Sequence, residues 1–245
     1  HRAAGLRGNA DAFGASAAIL AGDLALVWAD DLVESAGLDT KARRAVGEPW
    51  QSMRTETIAG QYLDLYGQGT GVDSPEESLR VAYLKSGLYT VERPLHLGAA
   101  MAGAAPELIA ALRRAGRSAG VAFQLRDDLL GVFGGPEHTG KPAGDDIKDG
   151  ASTYLVAIAL QRARAHSMHR EEQQLRAALG NEALLPADLE RVRHLLTDLG
   201  AVAAVEERID QLTASALGDL DKAQLEPPAG QRLAELVHGL CFTRG

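Results

Sequence analysis

An all-α, single-domain helical bundle is the fold class this sequence predicts, and three observations carry the prediction. Prolines at 49, 75, 94, 106, 136, 142, 186, 227 and 228 leave intervals long enough for helices. Proline is tolerated in a helix's first turn but not in its interior, so these positions read as punctuation. Between them apolar residues recur at helical spacing, most clearly after Leu189 in Val192, Leu195, Leu196, Leu199, Val202, Val205, Ile209 and Leu212, with Glu, Arg and Asp on the other face. Strand patterns are nearly missing, since no alternating run of β-branched and aromatic residues lasts more than a few positions.

In chain order, helices are expected over 11–37, 40–67, 76–93, 96–103, 106–134, 152–180, 186–220 and 228–241. The first is apolar on most faces around 16–29 and rich in Ala, Gly and Leu, as are 96–133 and 153–160. Helices of that kind are surrounded by others. The second carries MRTETIAGQYLDL at 53–65, in which Gln61 and Asp64 share a face by their spacing of three. The third and fourth carry YLKSGLYTVERPLHLG at 83–98, where Lys85 and Ser86 interrupt an apolar helix. The fifth ends in FQLRDDLLGVF, and from Arg162 the remaining helices are amphipathic and charged, as an outer layer would be. No short repeat or low-complexity linker is evident.

A chain of 245 residues is long enough to bury one sizeable core. Its 25 basic and 33 acidic residues give a net charge of −8, with no basic block, which speaks against nucleic acid as a partner. Cys241 is the single cysteine and cannot form an internal disulfide; a reducing, cytoplasmic compartment is expected. No transmembrane segment is expected either, because stretches such as AAILAGDLALVWADDL are interrupted by aspartates before reaching the roughly 20 apolar residues of a span.

The stretch FQLRDDLLGVFGGPEHTGKPAGDD, residues 123–146, holds most of the chemistry. Gln124, Asp127 and Asp128 are three and four apart and lie on one helical face. Two adjacent carboxylates repel by about 1 kcal/mol at roughly 4 Å in water and by more in a cleft. Flanked by Ala122, Phe123, Leu125, Leu129 and Leu130, they need an offsetting charge, which is either a salt bridge to Arg126 or a neighbouring helix, or a metal. GPEHTGKP at 135–142 is one residue short of a nucleotide-binding P-loop, with Pro142 where Ser or Thr should reach magnesium, and it follows a helix rather than a strand. What survives is a Gly-rich turn carrying Lys141, able to meet a phosphate as a point charge. Lys85 either snorkels or serves an anion in a cleft; Gln61 and Asp64 alone are compatible with an ordinary polar seam. His138, His166, His169 and His194 have no partner at metal-ligand spacing, and no serine or cysteine is placed like a nucleophile.

In their order along the chain, GDLAL (22–26), MRTETIAGQYLDL, KSGLYTVERPLHLG (85–98) and the 123–146 stretch resemble the trans-isoprenyl diphosphate synthases, or polyprenyl synthetase family. The resemblance covers nearly the whole chain and implies a fold of the isoprenoid synthase type, a homodimer whose helices surround a deep central cavity. It implies a prenyltransferase that condenses isopentenyl diphosphate with an allylic diphosphate, giving a short or medium trans-isoprenyl diphosphate such as farnesyl or geranylgeranyl diphosphate. Three magnesium ions with the bound diphosphate are expected. Asp127 would bind magnesium and Asp128 would support that site. Gln124, Lys85 and Ser86 would line the point where the allylic carbon–oxygen bond breaks, and Lys141 would contact the departing diphosphate.

Three departures accompany the resemblance. The family's first aspartate-rich motif is not found, since Asp30-Asp31 follows GDLAL and belongs to a later helix; residues 1–245 are therefore expected to form the synthase domain without the N-terminal helices that carry that motif. Gly131 stands where many relatives have a third aspartate. Ala151, in GAST at 150–153, replaces a lysine, with Lys148 as a possible substitute. Two alternatives stay open: a catalytically silent regulatory subunit of a heteromeric synthase, and a class I terpene cyclase, whose second metal motif is begun by Asp149 and Ser152 but ended by Val156.

Overall fold

The computed structural model of the chain describes residues 2–71, 73–135 and 144–242. The described elements are α1 (Ala10–Glu34), α2 (Thr40–Thr70), α3 (Pro75–Ala82), a π-helical segment (Tyr83–Glu92), α4 (Arg93–Met101), α5 (Pro106–Phe133), α6 (Asp145–Lys148), α7 (Tyr154–Ala165), α8 (His169–Ala178), α9 (Pro186–Asp198), α10 (Ala201–Lys222) and α11 (Ala229–Phe242). No strand occurs among the described residues. The chain divides into two compact units, His1–Arg44 and Ala45–Gly245.

Helix starts follow local chemistry. The Asn9 side chain accepts from the backbone N–H of Asp11 and Ala12, both at 2.9 Å, and Thr153 Oγ1 accepts from Val156 N at 3.3 Å. These side chains satisfy amides that a first turn leaves without partners. Pro75, Pro106 and Pro186 sit in the first turns of α3, α5 and α9.

Several boundaries differ from those expected. The break placed near Pro94 is absent: residues 75–101 run without interruption, and Pro94 falls in the first turn of α4, just past the π-helical segment. The span 152–180 is broken at Ser167, whose φ is +56°, and 186–220 is broken at Gly200, whose φ is +68°. Pro49, by contrast, lies inside α2.

In the second unit, α5 is the central helix. Leu112, Ala115, Ala119, Ala122, Leu125, Leu129 and Val132 are all buried, and each Leu or Val removed from water contributes about 1.5–3 kcal/mol. The π-helical segment packs along α5, and so does α10, whose Val205, Ile209 and Ala216 are fully buried. The C-terminal third is therefore more than an outer layer, because its apolar stripe forms part of the core. Gly87 and Gly120 make the contact with the π segment possible: a Cβ on Gly120 would lie 2.4 Å from Gly87 O, so the two backbones touch.

The first unit corrects one expectation and bears on a second. No residue of α1 is buried, although the 16–29 stretch was expected to be surrounded. Its Ile19, Leu20, Val27, Trp28 and Leu32 are each more than half exposed in the isolated chain. With 25 residues and a mean hydropathy of 1.6 in its most apolar window, α1 is also long and apolar enough to cross a membrane. Between Ala12 and Ala29 only Asp23 interrupts it, so the aspartates at 30 and 31 come too late to break the run.

Candidate active site

Helical periodicity within α2, the π segment and α5 turns one polar face of each toward a shared cavity of about 470 Å³. Thr57, Gln61 and Asp64 come from α2, one turn apart; Lys85, Ser86 and Tyr89 come from the π segment; Phe123, Gln124, Asp127 and Asp128 come from α5. Asp146 on α6 and Ala151, Ser152 and Thr153 before α7 also line it. Of the residues expected at the site, Lys85, Ser86, Gln124, Asp127 and Asp128 are thus brought together, and Lys141 lies outside the described residues.

The hydrogen bonds sort the sequence alternatives. Gln124 Nε2 donates to Asp128 Oδ1 at 2.7 Å and to Asp127 Oδ2 at 3.4 Å, so the amide bridges the two carboxylates. Arg126 turns elsewhere and donates from Nε to the Cys241 carbonyl at 3.1 Å. Lys85 is held rather than snorkelling: its Nζ is 2.8 Å from Asp64 Oδ2, and Gln68 Nε2 donates to that same oxygen at 3.1 Å. Gly60 permits this approach of α2, since a Cβ there would lie 2.3 Å from the Lys85 backbone nitrogen. Gln61 and Asp64 therefore belong to the cavity wall and not to an ordinary polar seam.

Asp146 was not singled out as a site residue, and its place explains Gly131. A Cβ on Gly131 would stand 2.2 Å from Asp146 Oδ2; the carboxylate occupies the space a side chain at 131 would need. A carboxylate from α6 thus approaches the stretch where a third aspartate of α5 would project. The sequence cue was Gly144, whose φ of +81° turns the chain into α6 just before Asp145-Asp146. Ala151 lines the cavity, whereas Lys148 is not among the lining residues.

Among the described lining residues Lys85 is the one cation, and it is paired with Asp64. Burial pushes the Asp128 carboxyl up to about 7; the Gln124 hydrogen bond lowers it, the charges of Asp146 and Asp127 raise it further, and Lys85 lowers it. The donors are all oxygens of a kind magnesium accepts, and a dication would relieve the repulsion among three carboxylates. No group of three or more His, Cys, Asp or Glu among the described residues is arranged to hold a metal by itself. That suits magnesium, which binds through one or two carboxylates completed by waters and substrate phosphates. The residues present fit the ion.

A model of the polyprenyl synthetase family matches residues 6–196. A geranylfarnesyl diphosphate synthase of Aeropyrum pernix is 35% identical over 149 residues, covering 61% of this chain and 44% of that protein. A chloroplastic geranylgeranyl pyrophosphate synthase 11 of Arabidopsis thaliana is 37% identical over 171 residues, covering 66% and 48%. The chain spans about half the length of the curated relatives it matches. Among solved structures, a geranylgeranyl pyrophosphate synthase from Corynebacterium glutamicum, complexed with isoprenyl diphosphate and magnesium, superposes with a TM-score of 0.96 at 44% identity, covering 100% of this chain and 68% of that one.

Proposed function

This chain belongs to the polyprenyl synthetase family, and from that premise we propose that it forms the catalytic part of a trans-prenyltransferase joining isopentenyl diphosphate to an allylic diphosphate, with a short or medium trans-isoprenyl diphosphate as product. The observation that carries the proposal is the convergence of Asp127, Asp128 and Asp146 with Lys85 and Ser86 on one cavity. Carboxylates and a diphosphate repel each other, so a site holding both needs cations between them. Asp127 and Asp128, joined by Asp146, would hold magnesium, which supplies Lewis-acid charge to the diphosphate.

The chain's own residues do the rest. Lys85 Nζ and the Ser86 hydroxyl donate to the diphosphate oxygens as negative charge grows on them, an electrostatic preorganisation that favours the transition state over the bound substrate. Gln124 fixes the two aspartates in one rotameric arrangement by bridging them. Breaking the allylic carbon–oxygen bond leaves an allylic cation; Tyr89 and Phe123, which line the cavity, keep water away from it until the double bond of isopentenyl diphosphate attacks and a proton is lost. By the family resemblance, Lys141 would contact the departing diphosphate.

We also assign a homodimer working in the cytoplasm. The unburied apolar surface of α1 supports an intermolecular partner, because large exposed apolar patches mark interaction sites. The test of the whole reading is to incubate the complete protein with magnesium, isopentenyl diphosphate and allylic primers of increasing length. Elongated diphosphates are expected. Hydrocarbon from a primer alone would mean a cyclase, and activity seen only as a change in a partner synthase's product would mean a regulatory subunit.

A further inference from the structure

Glu92 is fully buried at the C-terminal end of the π segment, and four contacts from three side chains satisfy it. Its Oε1 accepts from Arg113 Nε at 3.0 Å and lies 3.0 Å from Arg113 Nη2; its Oε2 accepts from the Tyr83 hydroxyl at 2.8 Å and from Arg117 Nε at 3.3 Å. The Arg117 guanidinium also sits over the Tyr83 ring, 4.7 Å from its centroid. Tyr83 and Glu92 are the first and last residues of the π segment, nine positions apart.

That spacing is informative. In an α-helix nine residues make two and a half turns at about 3.6 residues per turn, which would put the two side chains on opposite faces. With i→i+5 bonding the helix widens to roughly 4.4 residues per turn, so nine residues make about two full turns and the side chains meet. The hydrogen bond exists only in the π register. A π-helix is rare, and this one is anchored from outside its own backbone. Here the arginines of α5 fix Glu92, and close contact adds to the grip: a Cβ on Gly116 would lie 2.7 Å from Glu92 Cα.

We propose that Tyr83 and Glu92 act as a register lock, holding the ten residues between and including them in π geometry and so setting where Lys85 and Ser86 stand in the cavity. Tyr83 and Glu92 are positioning residues in this scheme, and the scheme rests on the reading of Lys85 and Ser86 as the pair that faces the diphosphate. Counting back from the anchored Glu92, a return to α geometry would rotate Lys85 and Ser86 by roughly a third of a turn about the helix axis. Lys85 would then leave Asp64, and Ser86 would leave the cavity wall. The Tyr83 hydroxyl remains a donor at neutral pH, because burial and the neighbouring Glu92 push its pKa up to about 12.

The test is Tyr83→Phe in the complete protein, a change that removes one hydroxyl and leaves the ring under Arg117. Made in the presence of Lys85, it is expected to lower kcat/KM for the allylic primer by roughly 10-fold, and made on top of Lys85→Ala by less than about 2-fold, since two residues acting through one contact are not additive. Equal losses in both backgrounds would mean a general structural effect and overturn the proposal, as would no loss in either. A crystal structure of Tyr83→Phe is expected to show Lys85 turned away from Asp64; an unchanged π register would also overturn it. If Lys85→Ala by itself leaves kcat/KM intact, the diphosphate reading of Lys85 fails, and the crystallographic register alone then decides the lock.

Discussion

Lys85 and Asp64 meet across the cavity wall, Nζ to Oδ2 at 2.8 Å, joining the π segment to α2 over 21 positions of sequence. The pair sets the lysine's direction before a substrate arrives. Asp64→Asn is expected to lower kcat/KM for the allylic primer by roughly 10-fold and Lys85→Ala by roughly 100-fold, the loss typical of one electrostatic donor. The double variant should be no worse than Lys85→Ala alone, which steady-state kinetics will show.

Asp128 makes the metal-free protein pH-sensitive. Its folded pKa of about 7 lies above the ordinary carboxyl value of 3.8, so between those values the folded state holds a proton that the unfolded chain has released. Stability then falls as pH rises through this window. Asp128→Asn should stabilise the metal-free protein at pH 8 by on the order of 2 kcal/mol, roughly 4–8 °C, and change little at pH 4. Thermal melts at both pH values check this. Isothermal titration with magnesium and a diphosphate should show the variant's binding greatly weakened.

Gly131→Ala pits a methyl group against the Asp146 carboxylate at 2.2 Å. The carboxylate can swing aside, so the melting temperature should change by no more than a few degrees. Manganese affinity in the presence of diphosphate, read by electron paramagnetic resonance, should weaken by roughly 10-fold if Asp146 belongs to the ion's surroundings.

Gly120 and Gly218 are both helical glycines with opposite expected behaviour. A Cβ on Gly120 strikes the Gly87 backbone at 2.4 Å, and backbone cannot swing aside; Gly120→Ala should cost more than about 2 kcal/mol. A Cβ on Gly218 meets nothing, and Gly218→Ala should stabilise α10 by roughly 0.5–1 kcal/mol. Denaturant titrations of the two variants separate these cases.

Ile19→Arg or Val27→Arg on α1 places a charge where the isolated chain shows only exposed apolar surface. Light scattering should find the unsubstituted protein dimeric and the variants shifted toward monomer. Release of the unsubstituted protein from a membrane fraction only by detergent would instead make α1 a membrane element.

The sequence by itself determined the helical class and the composition of each polar face. Gln124, Asp127 and Asp128 share a face because three and four residues make about one turn, and this local geometry survives whatever the helix packs against. The helix starts at Asn9, Ser74 and Thr153 are local in the same sense, since a cap acts within its own first turn. Only the tertiary structure decided the pairings. Lys85 selects Asp64, Asp146 fills the space Gly131 leaves, and Arg113 and Arg117 gather around Glu92, in each case through residues 15 or more positions apart. The turn from α to π register between Tyr83 and Glu92 is likewise invisible in composition. The apolar pattern of a helix shows that a face will be covered; which partner covers it, and in what register, depends on backbones that touch only after folding.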